Sequence, residues 1–226
     1  MSWLTKIKNK IFHRKNKNSE TGSKENILAH YDLGNELYTR FLDPEMMYSS
    51  AIYDEHATDL TAAQLNKLKR ICERLDLQEN DHVVEIGTGW GGLAIYAAQN
   101  YGCHVTTTTI SDAQFEYAQQ RVNELGLNDK ITLLKQDYRK LTGQYDKLVS
   151  IEMIEAVGFE YYTTFFKKCN ELLKPGGKML IQAITIADQR FDHYRSNVDF
   201  IQRYIFPGGC LPSVQVMCNH LKKDTS

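Results

Sequence analysis

The 226-residue chain has no apolar run approaching the roughly 20 residues needed to span a bilayer. Its first residues, MSWLTKIKNKIFHRK, lack the uninterrupted apolar core of a secretory leader, so a cytoplasmic location is expected. There is no charge excess either: 27 Lys+Arg against 28 Asp+Glu leave a formal −1, which commits the protein to no polyanion and sets nucleic acid aside as a partner. Cysteine is sparse and odd in number (Cys72, Cys103, Cys169, Cys210 and Cys218), with no C-x-x-C pair and no histidine at metal-ligand spacing. A disulfide scaffold is thereby excluded, no metal site is expected, and the thiols read as reduced and mostly buried. Internal repeats are absent. At 42% hydrophobic, 11% aromatic and 24% charged residues, the composition is that of a globular protein with a full-sized core.

What is present divides the sequence into three expected segments. Residues 1–24 carry Lys6, Lys8, Lys10, Arg14, Lys15, Lys17 and Lys24 against Glu20 alone, and end in a polar linker. Trp3, Leu4, Ile7 and Ile11 fall at helical spacing among these lysines, which suits an anionic membrane surface; a solvated, frayed tail is the competing reading. Residues 25–80 read as a helical cap, with helices over Asn26–Leu42 and Thr58–Leu75, the first broken by Asp43-Pro44.

Residues 81–226 form the third segment. Here β-branched runs at His82–Ile86, His104–Ile110, Lys130–Lys135, Lys147–Ile151 and Lys178–Ile184 alternate with helical patterns at Leu93–Tyr101, Asp112–Gly126 and Tyr161–Leu173. Alternation of this kind predicts an α/β fold with a doubly wound, mainly parallel sheet. A further helix is expected over Asp192–Tyr204, followed by a turn over Phe206–Ser213, and Lys174-Pro175-Gly176-Gly177 reads as a turn.

The first strand runs into Gly87-Thr88-Gly89-Trp90-Gly91-Gly92 and then an apolar helix, an arrangement that brings backbone close to a ligand. The spacing matches a dinucleotide fingerprint. Yet the end of the second strand, where a ribose-binding acid would stand, reads Thr106-Thr107-Thr108-Thr109-Ile110-Ser111, with no acid before Asp112. Glu85, one residue inside the first strand's end, would repel a pyrophosphate but attract an ammonium or sulfonium group. That charge logic favours S-adenosyl-L-methionine over a nicotinamide cofactor. Asp137 and Tyr138 follow the third strand and suit an adenine amine and ring, although a turn-capping role for Asp137 is also open.

Several ordered motifs together are similar to those of the cyclopropane fatty acid synthases, S-adenosylmethionine-dependent methyltransferases of class I, Rossmann-like fold. They are His30-Tyr31-Asp32-Leu33-Gly34-Asn35, Leu42-Asp43-Pro44, Met47-Tyr48-Ser49-Ser50-Ala51, Glu85 through Ala94, and Tyr204 through Ser213. The resemblance implies that Tyr48, Ser49, Gly87, Gly89, Thr109, Ile110, Gln114 and Tyr138 surround the cofactor. It further implies methylation of the cis double bond of phospholipid acyl chains at the inner face of the membrane, through a carbocation, with bicarbonate as a second candidate ligand that takes the proton. A homodimer is left open.

Glu155 aligns with the family's anion-holding glutamate, and Glu152 competes with it three residues earlier. Ser50 stands where better-known members have cysteine and Gln182 where they have histidine, while Ile184 keeps the position whose backbone joins the anion site. Serine and glutamine can hydrogen-bond an anion, but neither changes protonation near neutral pH as histidine does, so a methyl or methylene branch instead of a ring becomes an alternative outcome. The family's closing strands and an active-site tyrosine have no counterpart after Ile184. Missing C-terminal strands are therefore expected, with a truncated, non-catalytic cofactor-binding remnant as the competing reading.

Overall fold

The computed structural model describes residues 18–20, 22–23 and 35–226. The expected basic arm, most of the Asn26–Leu42 helix and the His30–Gly34 motif lie outside them. The chain forms two compact units whose segments interleave. One comprises Leu33–Ile151 with Glu171–Ile181, and the other includes Glu152–Asn170 and Gln182–Ser226.

In the first unit, a short helix α1 (Asn35–Tyr38) ends in a turn at Asp43-Pro44. Asp43 is buried and its carboxylate accepts from the Glu45 and Met47 amides at 3.0 and 2.9 Å, which fixes the bend. Helix α2 (Leu60–Leu75) starts where Asp59 accepts from the Ala62 amide, and it stops at Asp76 in the left-handed region. Its inward stripe is Ala63, Leu68, Ile71, Cys72 and Leu75, with Gln64 and Lys67 buried beside it.

Strand β1 (His82–Ile86) is followed by α3 (Gly92–Tyr101), β2 (His104–Thr109), α4 (Asp112–Glu124), β3 (Ile131–Lys135) and β4 (Tyr145–Ile151). The pairings β1–β2, β1–β4 and β2–β3 are all parallel, and the sheet order is β3-β2-β1-β4-β5, with β5 spanning Leu173–Gln182. The switch point of this doubly wound sheet lies at the carboxyl end of β1, where a parallel sheet of this kind accepts ligands. Val83, Leu93, Ala94, Ile95, Ala98, Val105, Val122 and Val149 form the core between α2, α3, α4 and the strands.

The remaining elements are a short helix α5 (Ile154–Val157), α6 (Tyr162–Leu172), α7 (Asp188–Arg195), a π-helical turn at Ile201–Ile205 and α8 (Val214–Asp224). In the second unit, the buried Tyr162 donates its hydroxyl to the Cys210 carbonyl at 2.5 Å. Three expectations change. The helix predicted over Asp192–Tyr204 is two elements, broken after Arg195. The fifth strand begins at Leu173 rather than Lys178 and ends at Gln182 rather than Ile184, although Gly176 (φ 79°) still bends it within Lys174–Gly177. Helix α8 was not anticipated, yet Ser213 caps it by accepting from the Val216 amide at 3.3 Å. Among the described residues, no helix is long and apolar enough to cross a membrane.

Candidate active site

Register places Glu85 directly beside Thr107 on neighbouring parallel strands, so both side chains stand on one face of the sheet. Thr107 donates to the Glu85 carboxylate at 2.6 Å, and its oxygen lies 2.7 Å from the Thr88 hydroxyl. The glycine loop is thus tied to the strand beneath it through a carboxylate and two hydroxyls. Backbone bonds from Gly87 and Thr88 to the Thr108 carbonyl, at 3.2 and 3.0 Å, finish the turn. Glu85 is 3% exposed, and burial pushes its carboxyl up to about 8, against a lowering pull from the Thr107 hydroxyl.

Gly87, Gly89 and Gly91 hold φ values of 104°, 53° and 90°, which side-chain-bearing residues rarely adopt. A Cβ at Gly89 would meet nothing within 4 Å, so this loop presents bare backbone to open space. At Gly92 the reverse holds: a Cβ would lie 2.5 Å from Met47 Sδ and 2.8 Å from the Glu45 carbonyl. The Asp43–Ser50 segment therefore packs directly on the start of α3.

That segment is fixed from several sides. Arg121 pairs with Glu45 at 2.7 Å, and Tyr38 packs between Trp90, tilted against it, and Tyr48, edge to face, with ring centroids 4.8 and 5.4 Å away. Trp90 Nε1 donates to Asn35 Oδ1 at 2.8 Å. Gln64 donates to the carbonyls of Met47 and Ser49 at 3.1 and 2.9 Å, and the fully buried Lys67 gives its ammonium to Ser49 Oγ at 2.6 Å. Tyr48, Ser49, Gly87 and Gly89 are accordingly brought into one neighbourhood, with Tyr48 and Ser50 exposed. Trp90, Thr88, Thr107, Gln64 and Lys67 do this positioning. The sequence reading assigned them no role, although a lysine and a glutamine on the inward stripe of α2 were a visible signal.

At the end of β2, Thr109 donates to Gln114 Oε1 at 2.9 Å, and Ser111 caps α4 beside Ile110. Asp137 accepts from Arg139 Nε and Nη2 at 2.8 and 2.6 Å and caps the turn at Tyr138–Lys140, so any adenine amine would share it with arginine. A surface groove of about 750 Å³ between α2 and Tyr96 includes none of these residues.

The second unit holds the expected catalytic residues other than Ser50. Glu152 and Gln182 form a two-point link: the Glu152 amide donates to the Gln182 carbonyl at 2.8 Å, and Gln182 Nε2 donates to Glu152 Oε1 at 2.8 Å. Glu152 adopts this arrangement at φ 47°, a left-handed conformation that costs an L-residue about 1–2 kcal/mol. Glu155 Oε1 accepts the Ile184 amide, whereas its buried Oε2 has no hydrogen-bond partner among the described residues. Burial, helped by the nearby Glu152 charge, pushes the Glu155 carboxyl up to about 7.

A parallel sheet with a backbone-exposing glycine loop at its switch point, braced by a buried carboxylate, defines a class I methyltransferase fold. The chain belongs to the mycolic acid cyclopropane synthetase family, whose pattern matches residues 18–225. It is similar to tuberculostearic acid methyltransferase UfaA1 of Mycobacterium tuberculosis, at 42% identity over 88% of this chain and 48% of that protein. It is also similar to the cyclopropane-fatty-acyl-phospholipid synthase of Escherichia coli K12, at 48% identity over 82% of this chain and 46% of that protein. The solved structure of mycolic acid cyclopropane synthase CmaA1 with SAH and CTAB superposes with TM-score 0.82 at 30% identity, covering 89% of this chain and 74% of that one. The chain spans about half the length of the curated relatives it matches.

Proposed function

We propose that the chain transfers the methyl group of S-adenosyl-L-methionine to the cis double bond of unsaturated acyl chains of membrane phospholipids, giving a cyclopropane through a carbocation. The observation that carries the cofactor is the Gly89 backbone facing open space in the loop braced on buried Glu85. A ligand with a cationic centre compensates that carboxylate, which a pyrophosphate cannot do. The acyl substrate rests on the family and on the two curated relatives.

When bound, S-adenosylmethionine supplies an electrophilic methyl on a sulfonium centre. The residues of the chain do the rest. Gly87 and Gly89 let the backbone approach the methionine portion, while Tyr48 and Ser49, held by Tyr38 and Lys67, close its side. Thr109, Ile110 and Gln114 take the ribose and adenine, with Tyr138 against the ring and Asp137 shared with Arg139. Glu155 sits in a water-poor setting where a carboxyl poised near neutrality serves proton transfer. Bicarbonate does not fit the second unit as it stands, since the Gln182 amide and the Ile184 amide are both taken by the chain's own carboxylates.

Ring-free C-methylation is the second reading. It is favoured by the likeness to the tuberculostearic acid methyltransferase and, at 32% identity, to the sphingolipid C9-methyltransferase of Candida albicans. Lipid mass spectrometry on a host lacking its own cyclopropane synthase tests both, with the chain expressed alone and with the C-terminal segment of the E. coli relative. Added methylene on unsaturated chains supports acyl methylation, and fragmentation separates ring from branch. No product from either version, while both fold and bind S-adenosylhomocysteine, overturns the acyl assignment.

A further inference from the structure

The groove of about 750 Å³ between α2 and Tyr96 is built from residues of the first unit alone. It is lined by Asn66, Lys69, Arg70 and Arg74 of α2, by the turn at residues 54–57 and by Tyr96 of α3. Residues 66, 70 and 74 recur every four positions and so share one face of the helix. That face is turned away from the buried stripe of Ala63, Leu68, Ile71 and Leu75.

Asp54 organises the groove. One of its carboxylate oxygens accepts the His56 and Ala57 amides at 2.9 and 3.0 Å, which closes the turn. The other accepts from Asn66 Nδ2 at 2.9 Å and from Arg70 Nη2 at 3.0 Å. These bonds, the His56 amide foremost, hold the Asp54 carboxyl below its ordinary range and commit its charge to the chain. Asn66 Oδ1 accepts from Arg70 Nε at 3.3 Å, so the guanidinium is fixed along its Nε–Nη2 edge. Its Nη1 has no hydrogen-bond partner among the described residues. Arg74, one turn further on, has neither an ion pair nor a hydrogen bond among the described residues, and Lys69 pairs at 3.8 Å with Glu73 alone. The negative end of α2 favours a cation at Arg74, but guanidinium groups one turn apart repel each other, and a third cation stands beside them.

We propose that this groove is a second ligand site and takes a phosphate ester, whose phosphate bridges Arg70 Nη1, Arg74 and Lys69 while its organic part lies along Leu65, Ala57 and Tyr96. Asp54 and Asn66 orient Arg70 in advance, which lowers the ordering cost of binding. A phosphate offers acceptor oxygens to several donors at once, whereas a flat carboxylate suits a single guanidinium fork. The groove is larger than a bare anion needs and falls in the size range of small-molecule sites. A phospholipid headgroup and a soluble phosphate ester share this chemistry. The site does not depend on the methylation proposed above.

Phosphorus-31 NMR on the full chain, with S-adenosylhomocysteine saturating the cofactor site, tests the proposal with inorganic phosphate and glycerol 3-phosphate as probes. Both signals are expected to broaden, glycerol 3-phosphate at the lower concentration. Arg74→Gln and Lys69→Gln alter exposed side chains and leave the fold intact, which an unchanged melting temperature checks. Each is expected to weaken binding by about tenfold, the scale of one charge-assisted hydrogen bond, and the double variant by more. Arg74→Lys should retain part of the affinity, and Lys222→Gln in α8 should leave it unchanged. Vesicles of phosphatidylglycerol separate the two sources: displacement of glycerol 3-phosphate assigns the groove to a headgroup, and its absence to a soluble ester. No broadening by the wild-type chain, or broadening that persists undiminished in the double variant, overturns the proposal. Either result leaves the proposed methylation standing, because that reading is decided by lipid product.

Discussion

The two units handle buried carboxylates and left-handed backbone in opposite ways. Around Glu85 the positive φ angles fall on Gly87, Gly89 and Gly91, and the carboxylate is met by a threonine hydroxyl. Around Glu155 a positive φ falls on Glu152, and one buried oxygen has no partner among the described residues. An unsatisfied buried acceptor costs about 1–3 kcal/mol. The first arrangement is a relaxed platform and the second concentrates strain. Strain of this kind collects where a reaction needs a group held ready and short of its ideal surroundings.

Breaking the strained side should give the largest effect. Glu155→Gln removes the ionisable group while keeping its shape, and product formation is expected to fall by about 10²–10⁴-fold, the range for a lost acid–base group. The melting temperature should hold or rise, because an uncharged amide is easier to bury. Undiminished product would make Glu155 as structural as Glu85 and erase the contrast. The next effect tests the platform: Gly92→Ala puts a methyl 2.5 Å from Met47 Sδ and 2.8 Å from the Glu45 carbonyl. Overpacking against backbone of this kind costs about 1–3 kcal/mol, measurable by urea unfolding. An unchanged midpoint would show that the Asp43–Ser50 segment yields easily and is not part of the platform.

Much of the platform was legible in the sequence. Local pattern sets β1 at its observed bounds, and the glycine spacing and the placement of Glu85 are matters of adjacent residues. The long-range parts were not legible. That Lys67 reaches Ser49, or that Arg121 pairs with Glu45, depends on a register between distant segments that no local pattern encodes. The Glu152–Gln182 bond is of the same kind, since 30 residues separate its ends. Sequence logic pointed to Glu155 and left Glu152 as its competitor, because a left-handed φ on a glutamate has no signature in residue type. Helix α8 was missed although Ser213 offered its cap and Val214, Met217, Cys218 and Leu221 fall at i, i+3, i+4 and i+7, so its signal was there to read.

Sharpening the platform side further, Lys67→Met keeps the aliphatic volume and deletes the ammonium held by Ser49. Leaving the Ser49 carbonyl and hydroxyl less satisfied is expected to cost about 1–2 kcal/mol of stability. If the lysine also positions Ser49 for the cofactor, S-adenosylhomocysteine affinity by calorimetry should drop beyond what partial unfolding accounts for, and Lys67→Arg should restore part of it. Equal losses in stability and affinity would confine Lys67 to packing.

The smallest effect is the most discriminating, because it gives Glu85 opposite signs in two experiments. Its carboxyl stands at about 8 in the free chain against an ordinary 4.5. The folded state therefore holds a proton that the unfolded state has lost between these values, and stability falls as pH rises through that window, by at most about 1.4 kcal/mol per unit from this group. Glu155 adds a similar loss up to about 7, so Glu85→Gln is needed to separate them. A cationic cofactor beside Glu85 favours the ionised form and lowers that carboxyl in the complex. Binding then releases a proton, and affinity for S-adenosylmethionine should rise with pH, by up to about tenfold per unit, until it levels near 8. Calorimetry in buffers of different ionisation heat reads that proton directly. Glu85→Gln should flatten both slopes at once; if it flattens the stability slope alone, the buried carboxylate serves the sheet and the cofactor's positive charge is met elsewhere.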